Sequence, residues 1–166
     1  MEIYRIDDNS PKWMITAYNY VRTDAFCFGQ NIPIEKEFSG DDPNEEIRAV
    51  LIIDEHKPIA GLRITYPEDG VAKIGRVCVI RERQKSGIGS IMMDDAEKWI
   101  ASNGVYHIVI SSQDRALGFY TKLGYTQNDN IDPHIYENHQ PAEHERPINL
   151  GFSCVMVEKY LVKRRI

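Results

Sequence analysis

The residues best suited to bind an anion form a glycine-rich turn between an apolar run and an amphipathic helix. The turn reads Gln84-Lys85-Ser86-Gly87-Ile88-Gly89-Ser90 and follows Val77-Cys78-Val79-Ile80. The first N–H groups of a helix have no intrahelical partner, and the helix dipole favours negative charge there. Gly87 and Gly89 lack the Cβ atoms that would keep a phosphate off the backbone, and Lys85 adds positive charge. The pattern indicates a phosphate site, but glycines alone are equally typical of a plain strand–helix connection.

Two widespread phosphate motifs do not fit this turn. The P-loop requires G-x-x-x-x-G-K-[ST], which occurs nowhere in the chain. The dinucleotide fingerprint requires a third glycine three residues after the second, and that position is Met92. What remains is Gln-x-x-Gly-x-Gly, opening a helix after a Val-x-Val strand.

This remaining motif resembles the acetyl-CoA pyrophosphate loop of the GNAT superfamily of N-acetyltransferases. A second segment, Gln113 to Tyr125, resembles the later helix of that family, with an alanine, then Phe119-Tyr120, then Lys-Leu-Gly-Tyr. The two motifs occur in the family's order, separated by a helix and a strand. The resemblance covers roughly residues 49–126 of the chain.

The resemblance implies transfer of an acetyl group from acetyl-CoA, a co-substrate, to a primary amine of a small molecule or peptide. The attack is direct, and Tyr120 is the general acid that protonates the departing thiolate. An N–H near Val79 stabilises the developing oxyanion. By the same resemblance, the cofactor-binding residues are Val77, Cys78, Val79, Gln84, Lys85, Ser86, Gly87, Ile88, Gly89, Ser90, Gln113 and Tyr120. Gln113 stands where the family often carries an asparagine.

Three further residues are expected near the acceptor. The first helices of the family form one wall of the acceptor site, so Arg22 and Phe28 are candidates to face substrate. The alternative is a surface arginine and core aromatics. Arg76 precedes the Val-Cys-Val run and either binds an acidic group of the acceptor or pairs with a structural carboxylate.

The sequence does not identify a general base. An amine of pKa ~10.4 is neutral in only ~1 part in 2,500 at pH 7, a handicap of ~4.6 kcal/mol. Some family members carry a glutamate where this chain has Ile108. Glu35, Glu37 or Glu68 could act through water instead. The missing carboxylate also motivates a second hypothesis, a non-catalytic acyl-CoA sensor or interaction module.

Cysteine and histidine patterns predict no metal site. The three cysteines are far apart without C-x-x-C spacing, which favours buried thiols in a reducing compartment. Cys78 also offers a ping-pong variant of the reaction through an acetylated thiol. His134, His139 and His144 recur at five-residue spacing, but their proline-containing loop offers no rigid frame for a metal.

Composition and length limit the class of protein. The 166 residues predict a single domain, residues 1–166, and 42% apolar with 27% charged residues is ordinary globular composition. A net charge of −5 does not favour nucleic-acid binding. Without an N-terminal signal segment or a long apolar run, we expect a cytoplasmic protein with no membrane partner. The sequence leaves the choice between monomer and homodimer open.

Hydrophobic periodicity predicts the elements that position these residues. Runs 48–54, 58–66 and 71–80 predict three successive antiparallel strands. A helix beginning near Ile88 crosses to a parallel strand over 106–111, a second helix spans 113–123, and the last strand covers 152–158. The region 128–149 has no periodicity.

The predicted fold class is therefore α/β of the α+β type, in one GNAT-like domain. Its mixed sheet has about six to seven strands and about four flanking helices. The antiparallel N-terminal part is splayed from a parallel pair, where the resemblance places the cofactor.

Overall fold

The computed structural model describes residues 1–137 and 153–162, and within them the chain forms a seven-stranded sheet with four α-helices. The strands β1 to β7 span Glu2–Ile6, Ala49–Asp54, Lys57–Glu68, Val71–Val79, His107–Gln113, Thr126–Gln127 and Cys154–Tyr160. The helices α1 to α4 span Lys12–Arg22, Ile34–Phe38, Ile88–Ser102 and Leu117–Lys122. A π-helical segment, Thr23–Phe28, prolongs α1, and short 3₁₀ turns cover Arg81–Arg83 and Asp114–Ala116.

The predicted mixed sheet is confirmed. Its strand order is β1-β2-β3-β4-β5-β7-β6. Neighbours from β1 to β4 are antiparallel, whereas β4 and β5 run parallel because α3 carries the chain across between them.

The sheet opens between the two parallel strands themselves. β4 and β5 are paired only from Val71 opposite His107 to Lys73 opposite Val109, although both strands continue beyond these pairs. A bulge in β4 lies where they part: Gly61 faces Cys78 and Arg63 faces Gly75, so Arg76 and Val77 together oppose one residue of β3. Such a bulge bends its strand and increases its twist, which turns the end of β4 away from β5.

Helices α1 and α3 pack against the antiparallel part of the sheet. The apolar positions of α3 are buried as its periodicity predicts, including Ile88, Met92 and Ile100. Helix α1 approaches β3 closely, because a Cβ at Gly61 would lie only 2.7 Å from a ring carbon of Tyr18. The glycine within this strand therefore marks close contact between helix and strand.

The second motif begins differently from the prediction. Gln113 is the last residue of β5, paired with Cys154 of β7, so the predicted helix over 113–123 is wrong at its start. A 3₁₀ turn follows, and α4 begins only at Leu117. The pairing with β7 holds Gln113 in an extended conformation, with φ −64° and ψ 148°.

Candidate active site

The glycine-rich turn has the backbone geometry of an anion cradle. Gly87 has φ +82° and Lys85 has φ +60°, so left-handed residues flank Ser86 immediately before α3. Backbone of alternating hand turns successive N–H groups toward a common concave side. A Cβ at Gly87 would meet no described atom within 4 Å, so the cradle faces open space. These features fit a bound diphosphate.

Side chains at the start of the turn hold it to the end of β4. Gln84 Nε2 donates a hydrogen bond to the Val79 carbonyl oxygen at 3.1 Å, and the Ser86 hydroxyl donates to the carbonyl of Arg83. Lys85, Ser86, Gly87 and Ser90 are exposed, whereas Ile88 is buried against the core. The exposed backbone of this segment can therefore contact a ligand while Ile88 anchors the helix.

Gly89 also lies where two helices come close together. A Cβ at this position would lie 3.1 Å from Cζ of Phe119, so the missing side chain lets α4 dock against the first turn of α3. This close approach to Phe119 gives Gly89 a packing role between the two helices. A contact between Gly89 and a phosphate stays a prediction.

This docking places Tyr120 beside β4. The Phe119 and Tyr120 rings make an edge contact at 5.1 Å, and Tyr120 packs in the same way on Tyr125 at 5.9 Å. Tyr120 is 6% exposed. Burial raises the pKa of its phenol above the ordinary value, and the nearby Cys78 thiol acts in the same direction. The hydroxyl is therefore protonated at neutral pH.

The Val77–Val79 segment forms the unpaired edge of β4. It lies beyond the last β4–β5 pair, so its backbone groups on that side are not used by β5. An extended ligand could pair with this edge as an added strand. Cys78 is buried, and its Sγ donates to the Gly61 carbonyl at 3.5 Å. Burial raises the pKa of this thiol, which keeps it protonated and weakly nucleophilic.

Gln113 and Phe28 lie at the rim of the opening. Gln113 Nε2 donates to Gln30 Oε1 at 3.2 Å and so links the end of β5 to the segment after the π-helical turn. Phe28 is 64% exposed, with the Arg81 guanidinium 5.6 Å from its ring centroid. Arg81 is held by an ion pair to Asp24 at 3.2 Å. Phe28 therefore stands beside the 3₁₀ turn that precedes the cradle.

Arg22 does not face a substrate. It is 1% exposed, and its guanidinium donates to Glu37 Oε1 at 2.9 Å and to Asp41 Oδ2 at 2.7 Å. Further donation to the Glu37 carbonyl at 2.9 Å occupies its remaining terminal nitrogen. The prediction of a substrate contact is therefore corrected to a buried arginine that joins α1 to α2.

Replacing Arg22 should destabilise the fold. We expect Arg22→Met to lower the free energy of unfolding by about 3 kcal/mol, because it leaves the buried Glu37 carboxylate short of its main partner. Arg5→Gln is the matched control, since Arg5 forms an exposed ion pair with Asp95 at 3.0 Å and should cost under about 1 kcal/mol. Urea unfolding measures both. Equal stabilities of the two variants would contradict the structural role of Arg22.

The three glutamates considered as general bases lie in different surroundings. Glu37 is buried in the ion pair with Arg22, and Glu68 accepts a hydrogen bond from the Tyr136 hydroxyl at 2.9 Å. Glu35 is exposed on α2. Ile108 is fully buried in β5, so the strand position where some family members carry a carboxylate is part of the core here.

The start of the long loop covers one face of the sheet. Ile131 and Tyr136 pack on Val71, Val109 and Met156.

His139 and His144 lie outside the described residues, and within residues 1–137 and 153–162 no group of three metal-ligating side chains is placed to hold an ion. In the same part of the chain, no helix has the length and apolar character needed to cross a bilayer.

Several contributing residues escaped the sequence analysis. Gln30, Asp24 and Asp41 act through partners distant in the chain, and no local pattern marks them. Gly61, Arg63 and Thr65 occupy every second position of β3 and therefore share one face, and this spacing indicates that the face is not purely apolar.

Comparison with known proteins identifies the class of protein that this fold and site define. The model of the acetyltransferase (GNAT) family matches residues 13–125, and the chain belongs to that family. It is accordingly an acyltransferase. The uncharacterized N-acetyltransferase YjcF of Bacillus subtilis (strain 168) is 34% identical over 106 residues, which are 64% of this chain and 74% of that relative.

Solved structures share the fold at low identity. An acyl-CoA N-acyltransferase from Pseudomonas aeruginosa superposes with a TM-score of 0.75 at 16% identity, covering 95% of this chain and 98% of that one. The catalytic domain of Tetrahymena GCN5 histone acetyltransferase, in complex with coenzyme A, superposes with a TM-score of 0.68 at 12% identity, covering 99% and 95%. At these identities the likeness establishes the fold alone.

Proposed function

We propose that this chain is a single-domain N-acetyltransferase that transfers an acetyl group from acetyl-CoA to a primary amine of a small molecule or peptide. The observation that carries the proposal is the opening between β4 and β5, which has an anion cradle at one side and a buried tyrosine beside it. The family membership supports acetyl transfer as the reaction.

The cofactor would bind mainly through the backbone. The cradle from Gln84 to Ser90 would hold its diphosphate, and the unpaired edge of Val77–Val79 would hydrogen-bond to the pantetheine arm. Gln113, at the end of β5, would contact the cofactor from across the opening. Acetyl-CoA supplies the activated thioester; a main-chain N–H near Val79 would polarise its carbonyl. The coenzyme A bound to the Tetrahymena GCN5 domain supports this choice of cofactor.

Tyr120 would be the general acid. Its phenol is kept protonated by burial, and its ring is fixed between Phe119 and Tyr125. A fixed hydroxyl loses little freedom when it donates to the departing thiolate. The proton then moves from the phenol to sulfur as the carbon–sulfur bond breaks.

Direct attack by the amine is favoured over an acetylated cysteine. The Cys78 thiol is buried, donates to Gly61 and is made less acidic by its surroundings. A thiolate is the reacting form in an acyl-enzyme route, and this environment opposes it. Mass spectrometry of the enzyme after mixing with acetyl-CoA alone should find Cys78 unmodified.

The central experiment measures thiol release from acetyl-CoA with a panel of amines, with product mass determined in parallel. We expect release that depends on the amine, together with an acetylated product. Tight coenzyme A binding without thiol release from acetyl-CoA across the panel would contradict the proposed enzymatic activity. It would favour the second candidate, a non-catalytic acyl-CoA sensor. The buried Ile108 and the paired Glu37 are the observations that favour this alternative.

The pH dependence tests the state of Tyr120. The acceptor amine must be neutral, so kcat/KM should rise with pH. Burial raises the pKa of the acid above its ordinary value of ~10, so loss of its proton begins only above that pH. We expect no descending limb up to pH ~9.5. A decline beginning below pH ~9 would show that a more acidic group donates the proton.

A further inference from the structure

We infer that the acceptor is an amine that also carries a carboxylate, and that the guanidinium of Arg76 binds this carboxylate. This inference rests on the proposed function and specifies its substrate class. Arg76 lies in the β4 bulge, where the strand leaves β5 and two residues before Cys78. At ~3.3 Å per residue, it stands within ~10 Å of the Val79 backbone expected to hold the thioester carbonyl.

The charges around Arg76 leave a cationic excess. Within the described residues, the ion pairs of Arg22, Arg63 and Arg76 go to two carboxylates, those of Glu37 and Asp41. Buried Arg22 donates hydrogen bonds to both acids, and Arg63 donates to Asp41 Oδ1 at 3.0 Å. Both acids are therefore already engaged before Arg76 is considered.

Arg76 itself is incompletely partnered. Its Nε lies 3.1 Å from Glu37 Oε1, but the N–H is not directed at that oxygen and makes no hydrogen bond. Among residues 1–137 and 153–162, Arg76 makes no other ion pair and no side-chain hydrogen bond. Its side chain is 38% exposed. The two terminal nitrogens of the Arg76 guanidinium are thus available to a ligand, and their spacing matches the two oxygens of a carboxylate in a bidentate arrangement.

The backbone conformation of Arg76 supports a role in ligand binding. Its φ is +52°, a left-handed conformation that is costly for a branched or long side chain and suited to glycine. Strain of this kind, held by a surrounding fold, is characteristic of ligand-binding positions. Lys73 lies on the same strand. Burial lowers the pKa of its ammonium group, and the positive charges of Arg63 and Arg76 act in the same direction against an opposing effect of Glu137.

The test compares acceptors that differ only at the carboxylate. Amino acids and dipeptides are each assayed beside their C-terminal amides, with thiol release and product mass as readouts. We expect at least one free acid to exceed its amide in kcat/KM by about tenfold to a hundredfold, as a charge-assisted bidentate contact provides. The dipeptide pairs are the most informative comparison, because their reacting amine is far from the C-terminal carboxylate that is replaced by an amide.

Two variants locate the preference. Arg76→Gly suits the left-handed backbone and should abolish the preference for the acid while the KM for acetyl-CoA stays unchanged. Arg76→Lys keeps the positive charge but loses the paired terminal nitrogens, so it should retain only part of the preference for the free acid over the amide. Arg5→Gln, whose ion pair with Asp95 is exposed and remote from β4, is the control.

The outcomes separate the two proposals. If acids and amides react equally, or if Arg76→Gly keeps the wild-type preference, the inference is wrong while the acetyltransferase stands. If the wild type binds coenzyme A and acetylates no amine, the proposed function fails and the inference fails with it. A changed KM for acetyl-CoA in Arg76→Gly would assign the arginine to the cofactor instead.

Discussion

Tyr120→Phe should lower kcat by about 100-fold or more and leave the affinity for acetyl-CoA nearly unchanged, since positioned proton transfer contributes ~10²- to 10⁴-fold. The substitution removes one hydroxyl and keeps the ring, so the contacts with Phe119 and Tyr125 persist. Without a donor, the departing thiolate must leave unprotonated. Steady-state thiol release gives kcat, and calorimetry gives the affinity.

Tyr125→Phe is the matched control for this experiment. Tyr125 is 1% exposed, and its hydroxyl is buried with no hydrogen-bond partner among the described residues. Deleting it removes a buried hydroxyl from the ring next to Tyr120. We expect wild-type turnover. Wild-type turnover in Tyr120→Phe as well would exclude Tyr120 as the general acid.

Gly87→Asp should weaken coenzyme A binding by about tenfold to a hundredfold relative to Gly87→Asn. Asparagine and aspartate both tolerate the left-handed backbone, with φ +82° at this position, and differ mainly in charge. Because a Cβ at Gly87 meets open space, both side chains should be accommodated. A carboxylate ~5 Å from the diphosphate costs ~3 kcal/mol per unit charge at an effective dielectric constant of ~20, before screening by salt.

Isothermal calorimetry with coenzyme A measures this difference, and thermal unfolding checks that the two variants are equally folded. Raising the ionic strength should narrow the gap, because exposed charges are screened. Equal affinities for the two variants would place the diphosphate away from Gly87. The proposed cradle would then be wrong, and with it the orientation of the cofactor.

The local elements were predictable because each depends on neighbours in sequence. The glycine turn precedes a helix whose apolar residues, such as Met92 and Ile100, recur at helical spacing and are fully buried. The parallel course of β5 follows from the helical crossover before it. Periodicity could not show that Gln113 belongs to a strand, because its pairing partner Cys154 is 41 residues away.

The roles of individual side chains depended on long-range contacts. The residues next to Arg22 in sequence do not indicate whether its side chain is exposed or buried. Likewise, the residues next to Gly89 do not indicate whether it contacts a phosphate or packs against another helix. Arg22 is buried because Glu37 and Asp41 come to it from α2 and the segment after it. Gly89 has a packing neighbour because Phe119 comes close to it from α4.

The sequence by itself determined the family, the order of elements and the glycine-rich turn that we propose holds the diphosphate, since these follow from spacing along a short stretch of chain. Only the tertiary structure showed that the separation lies between the two parallel strands themselves, and which charged groups remain available. The bulge at Arg76 parts β4 from β5, and it also leaves that arginine incompletely paired. Both results depend on pairing across the sheet and on charges brought together from distant segments, which no local pattern encodes.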